Sequence, residues 1–391
     1  MPAIPFERAE RLKRLPPYLF AMIDKMKQEA VAEGKDIISL GIGDPDLPTP
    51  GHVIEEMDAA SRRAANHQYP SYEGMLSFRK GCADWYGKRF GVQLDPRTEV
   101  LSLIGSKEGI AHISLAFTNP GDYALVPDPA YPVYEIGTYF ADGKPHFMPL
   151  KEERGFLPDL GAVPTDVAKK AKLIFINYPN NPTAACAEVG FYREVVEFAK
   201  SHGLIVCSDN AYSEMSFDGY RPASFLSAEG AKEVGVEFHS CSKTYNMTGW
   251  RIGFAVGNAD VLAGLGAIKT NVDSGVFQAI QEAGLKALTA GQGCVEEMRR
   301  TYQRRRDVMM EGLKELGLKA SRPKATFYLW VRCPGGYTSM EFTARLLKAT
   351  GVVTTPGVGF GRSGEGYVRM ALTVPEPRLL EAVARIKKAG F

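Results

Sequence analysis

From about residue 100 the chain alternates short, unbroken apolar runs with segments whose apolar positions recur every three or four residues. The runs Val100 to Ile104, Tyr123 to Val126, Leu173 to Asn177, Leu204 to Ser208, Val236 to Ser240 and Ile252 to Val256 are strand candidates. Apart from Val236 to Ser240, none alternates polar with apolar positions, which predicts strands covered on both faces. Helical segments such as Phe191 to His202 separate several of them, an order that predicts a parallel sheet between helix layers. Upstream, Leu19, Met22, Ile23, Met26 and Ala30 make a helical stripe after Pro16-Pro17, with Gly34 as its stop. A short β-like run, Ile37 to Leu40, leads into Gly41-Ile42-Gly43-Asp44-Pro45. After about residue 260 the pattern changes. One long helical stretch from Phe277 through Leu316 precedes strands (Ala325 to Val331, Tyr367 to Leu372) and helices (Met340 to Thr350, Arg378 to Ala389). This tail predicts a smaller α+β domain, completed by the N-terminal segment. The expected division is 1–45 joining the small domain, 46–285 as the large domain and 286–391 as the small one.

At 391 residues the chain exceeds what one core supports, in keeping with two domains. Acids and bases nearly cancel, to a formal charge of +2. The basic cluster Arg299, Arg300, Arg304, Arg305 and Arg306 has Glu296, Glu297 and Asp307 close by, so it reads as a solvated helix face and not a nucleic-acid patch. The six cysteines form no C-x-x-C pair and have no metal-ligand spacing with the histidines, which points to reduced thiols and no metal site. Met1 opens a polar segment without an apolar signal core, and no run has the length to span a bilayer. A cytoplasmic protein with no membrane partner is expected.

The chemistry lies just after the strand candidates. Ser240-Cys241-Ser242-Lys243-Thr244, followed by Trp250-Arg251-Ile252-Gly253, places one lysine at the end of a β-favouring run among hydroxyls and an arginine. A desolvated lysine beside a cation is neutral often enough to attack a carbonyl, and hydroxyls with an arginine suit a phosphate. Gly105-Ser106-Lys107-Glu108-Gly109 opens a helix after the first sheet strand, a place where backbone N–H groups bind anions, although an ordinary strand–helix turn reads the same way. Prolines rigidify Tyr178-Pro179-Asn180-Asn181-Pro182-Thr183. Asp209 follows Ile205-Val206-Cys207 and would need a cation or donor beside it, or else serve as a helix cap. Ser106, Asn181, Asp209 and Lys243 each follow a different strand. In an open α/β sheet, ligands bind outside the carboxyl ends of the strands, so the fold converges these groups. A phosphate site, an acid for a ring nitrogen and an imine-forming lysine together describe pyridoxal phosphate.

Over essentially its whole length the chain resembles the class I/II aminotransferases of fold type I, which use pyridoxal 5'-phosphate. The resemblance implies an α/β fold: a large domain with a mostly parallel seven-stranded sheet, plus a smaller α+β domain. It implies that Lys243, in the S-x-S-K element, carries the cofactor and is catalytic. Asp209 would pair with the pyridine nitrogen, and Tyr212 of D-x-A-Y and Asn181 of N-N-P-T would contact the phenolic oxygen. Ser106, Lys107, Ser240 and Arg251 would form the phosphate cup, with Tyr69 of Gln68-Tyr69-Pro70 reaching in from a second subunit. Tyr131 would stack on the ring. Arg369 of Tyr367-Val368-Arg369-Met370, with Asn181 and the Gly43 N–H, would hold the substrate α-carboxylate. A homodimer with shared sites follows, acting on amino acids and 2-oxo acids.

Within the family, three stretches (Gly105 to Ile113, Tyr178 to Ala185 and Asn271 to Gln278) are similar to the bacterial LL-diaminopimelate aminotransferases. The best-known aspartate enzymes take an arginine from the partner chain to bind the distal carboxylate. The matching region, Asn271 to Gln278, has none. Lys107 or Asn271 would then be left to read the distal end. The alternatives are an aminotransferase for aspartate, alanine or aromatic amino acids, and a carbon–sulfur or other eliminating lyase of the same fold. A non-enzymatic effector module of a transcription regulator would need an N-terminal DNA-binding domain, for which the segment before Gly41 is too short.

Overall fold

The computed structural model describes residues 6–15 and 19–391. The opening residues, Pro16-Pro17, and the side chains of Leu19 and Met22 lie outside what it describes. Twelve strands are present among the described residues: β1 Ile38–Ser39, β2 Val100–Leu103, β3 Tyr123–Asp128, β4 Lys144–Pro149, β5 Ala171–Asn177, β6 Ile205–Asp209, β7 Gly235–Ser240, β8 Gly253–Gly257, β9 Tyr328–Arg332, β10 Val352–Val353, β11 Thr355–Pro356 and β12 Tyr367–Ala371.

Seven of them form the large sheet, in the order β2-β8-β7-β6-β5-β3-β4. Neighbours from β7 through β4 pair in parallel, while β8 runs antiparallel to both β7 and β2. Six strands therefore point one way and β8 alone is reversed. The unbroken apolar runs are explained by two-sided burial. Leu173 and Phe175 pack with Ile113, Tyr134 and Leu265 on one face, and Ile174 and Ile176 with Tyr192 and Val195 on the other. Strand β4, Lys-Pro-His-Phe-Met-Pro, escaped the sequence reading because its two prolines and polar residues suit only an edge, where it lies.

A second sheet, β11-β12-β9, is antiparallel, and β1 pairs in parallel with β10, joining the N-terminal segment to the tail. Asp36 strengthens that joint through hydrogen bonds from Arg378 at 2.8 Å. Ile23 and Ala30, from the helix Leu19–Ala32, pack on Leu347 and Val353 of the tail.

Two expectations change. The long helix beyond Phe277 is two helices, Gln278–Thr289 and Gly293–Glu315, broken at Ala290-Gly291-Gln292, where glycine raises the cost of a continuous helix. Position 285 lies within the first of them. The basic cluster is not a wholly solvated face: Arg305 and Arg306 are buried. Helical periodicity puts them on the inward stripe with Tyr302 and Met309, and each is paired there. Arg305 forks onto Asp46 at 2.6 and 2.8 Å, and Arg306 onto Asp218 at 2.6 and 3.0 Å. The first pair ties this helix to the chain just beyond Gly43.

Candidate active site

Because β2, β3, β5, β6 and β7 run the same way, their carboxyl ends share one edge of the sheet. A cavity of about 620 Å³ opens there, a size suited to a cofactor with substrate. Ser106 and Lys107 reach it after β2, Tyr131 after β3, Asn181 after β5, Asp209 at the end of β6, Ser240 at the end of β7 and Lys243 after it. The reversed β8 brings its amino end to the same edge, so Arg251 lines the cavity although it precedes its strand. Gly43, Tyr212 and Arg369 complete the expected set within the cavity.

Lys243 sits in the short helix Cys241–Thr244, capped by the Ser240 hydroxyl, which accepts the Ser242 N–H at 3.1 Å. Its Nζ donates to the Gly43 carbonyl at 3.1 Å. Burial pushes the amine down to about 8, opposed by Asp44 and reinforced by Arg369 and Arg251. Across the cavity, Asp209 is buried and accepts the Tyr134 hydroxyl at 2.8 Å through Oδ2. Burial raises its carboxyl to about 6, which the Tyr134 hydrogen bond counteracts. Its other oxygen, Oδ1, is buried with no hydrogen-bond partner.

Arg369 lies on β12 opposite Thr355 and Trp330. Its guanidinium is packed against Tyr328 at 4.3 Å and Phe360 at 4.7 Å, and donates to Asn181 Oδ1 and to the Gly41 carbonyl, both at 2.7 Å. Its Nε is buried without a partner. Asn181 is fixed in turn by its own N–H, which donates to Asn177 Oδ1 at 2.8 Å. The Tyr212 hydroxyl meets that of Tyr328 at 3.1 Å. Two glycines are there for space. A Cβ on Gly43 would strike the Tyr328 phenol, and one on Gly105, at φ +74°, would strike the Arg251 guanidinium.

Two expected groups stay outside. Tyr69 is 87% exposed and does not line this cavity, and Asn271 is exposed on its helix end with its amide donating to the Ala267 carbonyl at 2.8 Å. Lys107 does line it, 5.8 Å from the Tyr131 ring. Sequence reasoning missed Tyr134, Tyr328 and Phe360. Tyr134 was findable as the residue three beyond Tyr131 at the start of the helix Val133–Phe140. Tyr328 and Phe360 gave no such signal, since only the β9–β12 register and the chain path bring them to Arg369.

Residues 35–386 match the model of the family "Aminotransferase class I and II". The chain belongs to the class I and II aminotransferases. This aminotransferase is 60% identical to the LL-diaminopimelate aminotransferase of Syntrophobacter fumaroxidans over 386 residues, which is 99% of this chain and 100% of the relative. It is 59% identical to the enzyme of the same name from Moorella thermoacetica, over 98% of both chains. Among solved structures, apo-BacF from Bacillus subtilis superposes with a TM-score of 0.95 at 40% identity, over 99% of both chains.

The aminotransferase is therefore a pyridoxal-phosphate enzyme, and its cavity can be tested against that group. The cofactor brings an aldehyde, a protonatable ring nitrogen and a dianionic phosphate. The cavity holds one lysine whose amine is depressed toward neutrality, and an orphaned acid oxygen, Asp209 Oδ1, that only a donor would satisfy. It also holds a helix N-terminus at Ser106 with the Arg251 guanidinium set against Gly105. The residues fit the group.

Proposed function

We propose that the enzyme transfers the amino group of LL-diaminopimelate to 2-oxoglutarate, in the cytoplasm and as a homodimer. The observation that carries this reading is near-full-length identity of 59–60% to relatives bearing that name. The absence of arginine from 271–278 supports it, since the dicarboxylate route of the best-known aspartate enzymes is then unavailable. Six free cysteines suit a reducing compartment.

In this reading Lys243 binds the cofactor covalently, and Ser106, Lys107, Ser240 and Arg251 receive its phosphate, with Tyr69 of the partner subunit. Exposure of Tyr69 on the single chain agrees with such a role. Tyr131 covers the ring, Tyr212 and Asn181 serve its phenolic oxygen, and Asp209 Oδ1 accepts its ring N–H. When bound, pyridoxal phosphate supplies an electron sink that stabilises negative charge at the substrate α-carbon. Lys243 Nζ, at a pKa near 8, is neutral in a useful fraction around neutral pH and takes the α-proton. Arg369, packed against Tyr328 and Phe360, grips the α-carboxylate together with the Gly43 N–H.

A panel of amino donors with 2-oxoglutarate tests the assignment. LL-diaminopimelate should give tetrahydrodipicolinate and glutamate with a higher kcat/KM than aspartate, alanine, lysine or aromatic amino acids. A site that bonds both distal groups rejects donors lacking either, because its own polar groups are then left unpaired. If aspartate or an aromatic donor is better by about tenfold, roughly 1.4 kcal/mol, the substrate assignment fails.

A further inference from the structure

One buried cluster has no part in the mechanism above. Lys269, in the helix Ala259–Val272, is only 1% exposed, and a buried ammonium persists only when paired. Its Nζ donates to both oxygens of Asp273 at 2.8 Å and lies 3.7 Å from Glu108 Oε2. Each carboxylate then holds a second group. Glu108 Oε2 accepts the Ile104 N–H at 3.1 Å, while Oε1 meets His112 Nδ1 at 3.2 Å. Ile104 enters the Gly105-Ser106 turn that faces the cavity. Asp273 Oδ1 accepts the Gly275 N–H at 2.6 Å. Gly275, at φ +89°, lies so close to the chain after Tyr69 that a Cβ there would stand 3.1 Å from both Pro70 Cγ and the Ser71 carbonyl. Gln278 Nε2 donates to the Gln68 carbonyl at 3.4 Å, on the other side of Tyr69. One ammonium thus sits between the turn at Ser106 and the loop that bears Tyr69.

We propose that Lys269 is a positioning residue for the phosphate cup, holding the Gly105 to Lys107 turn through Glu108 and the Tyr69 loop through Asp273 and Gly275. The inference rests on the cup assigned above. Its physical basis is geometric and electrostatic. Glu108 is the third residue of the helix Ser106–Phe117, where its carboxylate steadies the turn but competes with any other anion for the positive helix end. Lys269 offsets that charge. Without it, the Glu108 carboxylate would face a bound phosphate dianion uncompensated, and the two carboxylates that hold the Ile104 and Gly275 N–H groups would lose the cation they share.

The test compares binding of pyridoxal phosphate and of pyridoxal, which has the same aldehyde and ring but no phosphate, to the cofactor-free full-length protein. Lys269→Met should weaken pyridoxal phosphate binding about tenfold, the lower end of what losing a supporting outer partner costs at a metal site. Pyridoxal binding should stay within about twofold of wild type, and Lys269→Arg should restore the preference for the phosphorylated form. Lys269→Gln, which keeps a hydrogen-bond donor for the carboxylates, is read in the same way if Lys269→Met does not fold. Equal losses for both ligands, or no loss for either, would overturn the proposal, because a merely structural lysine cannot tell the two apart. Arg251→Ala is the control. If that variant also fails to discriminate, the cup assignment itself is wrong, and the role of Lys269 falls with it.

Discussion

Asp209→Asn should make the cofactor-free protein more stable while it lowers turnover by orders of magnitude. The side chain is buried, with Oδ2 on the Tyr134 hydroxyl and Oδ1 unpartnered, and burial lifts the carboxyl from the ordinary 3.8 to about 6. The folded protein therefore holds this proton more tightly than the unfolded chain does. Ionising Asp209 costs stability in full above pH 6, progressively less as the pH falls from 6 to 3.8, and nothing below that. A rise of this size corresponds to about 3 kcal/mol at pH 8. Asparagine cannot ionise and still accepts the Tyr134 hydroxyl, but its unmatched amide N–H groups return about 1 kcal/mol of that. Urea unfolding of the two cofactor-free proteins should show Asp209→Asn more stable by about 2 kcal/mol at pH 8, with the gap falling to about 0.6 kcal/mol at pH 5 and closing near about pH 4.5. With cofactor bound the order should reverse, since a ring N–H⁺ finds its carboxylate only in the wild type. A cofactor-free variant no more stable than wild type at pH 8, or a gap that ignores pH, would refute the reasoning.

Arg369→Lys should raise KM for the amino donor at least about tenfold with a smaller change in kcat, because a single ammonium cannot replace a fork that is oriented by Asn181 and Gly41; steady-state kinetics on the substrate panel reads this. Gly43→Ala should impair activity and cofactor retention in a protein that still folds, since the new Cβ displaces the Tyr328 phenol and with it the contact to Tyr212; absorbance of the bound cofactor after dialysis measures the loss. Mixing a Tyr69→Phe chain with a Lys243→Ala chain, each strongly impaired alone, should restore activity through hybrid dimers that contain one intact site. A fully active monomer by sedimentation would exclude shared sites.

The large sheet was legible because its strands are buried on both faces, and most of their runs are therefore apolar; in β7 the polar Glu237 and His239 are buried as well. Strand β4 was not, because an edge position tolerates Pro145 and Pro149, which argue against a strand anywhere else. The convergence of Ser106, Asn181, Asp209 and Lys243 followed from one topological rule: parallel strands put their carboxyl ends together. Arg251 was expected from its spacing after the hydroxyls around Lys243 and from the family resemblance, and the reversal of β8 is what physically delivers it. The wall around Arg369 was hidden for a different reason. Tyr328 and Phe360 are ordinary aromatic residues until register and chain path set them against a guanidinium. The buried pairs of Arg305 and Arg306 were masked by their surroundings in sequence. Neighbouring acids suggested a solvated face; Asp307 does accept from Arg306, but the forked partners, Asp46 and Asp218, are far away along the chain.

The chemistry proposed above depends on Lys243, the lysine of depressed basicity in this cavity, carrying the cofactor. Borohydride reduction of the yellow holoenzyme, followed by proteolysis and mass mapping, locates the attachment directly. A single pyridoxyl adduct on Lys243 is expected, absent from Lys243→Ala along with the imine absorbance. An adduct on Lys107, or on any other lysine, would contradict it.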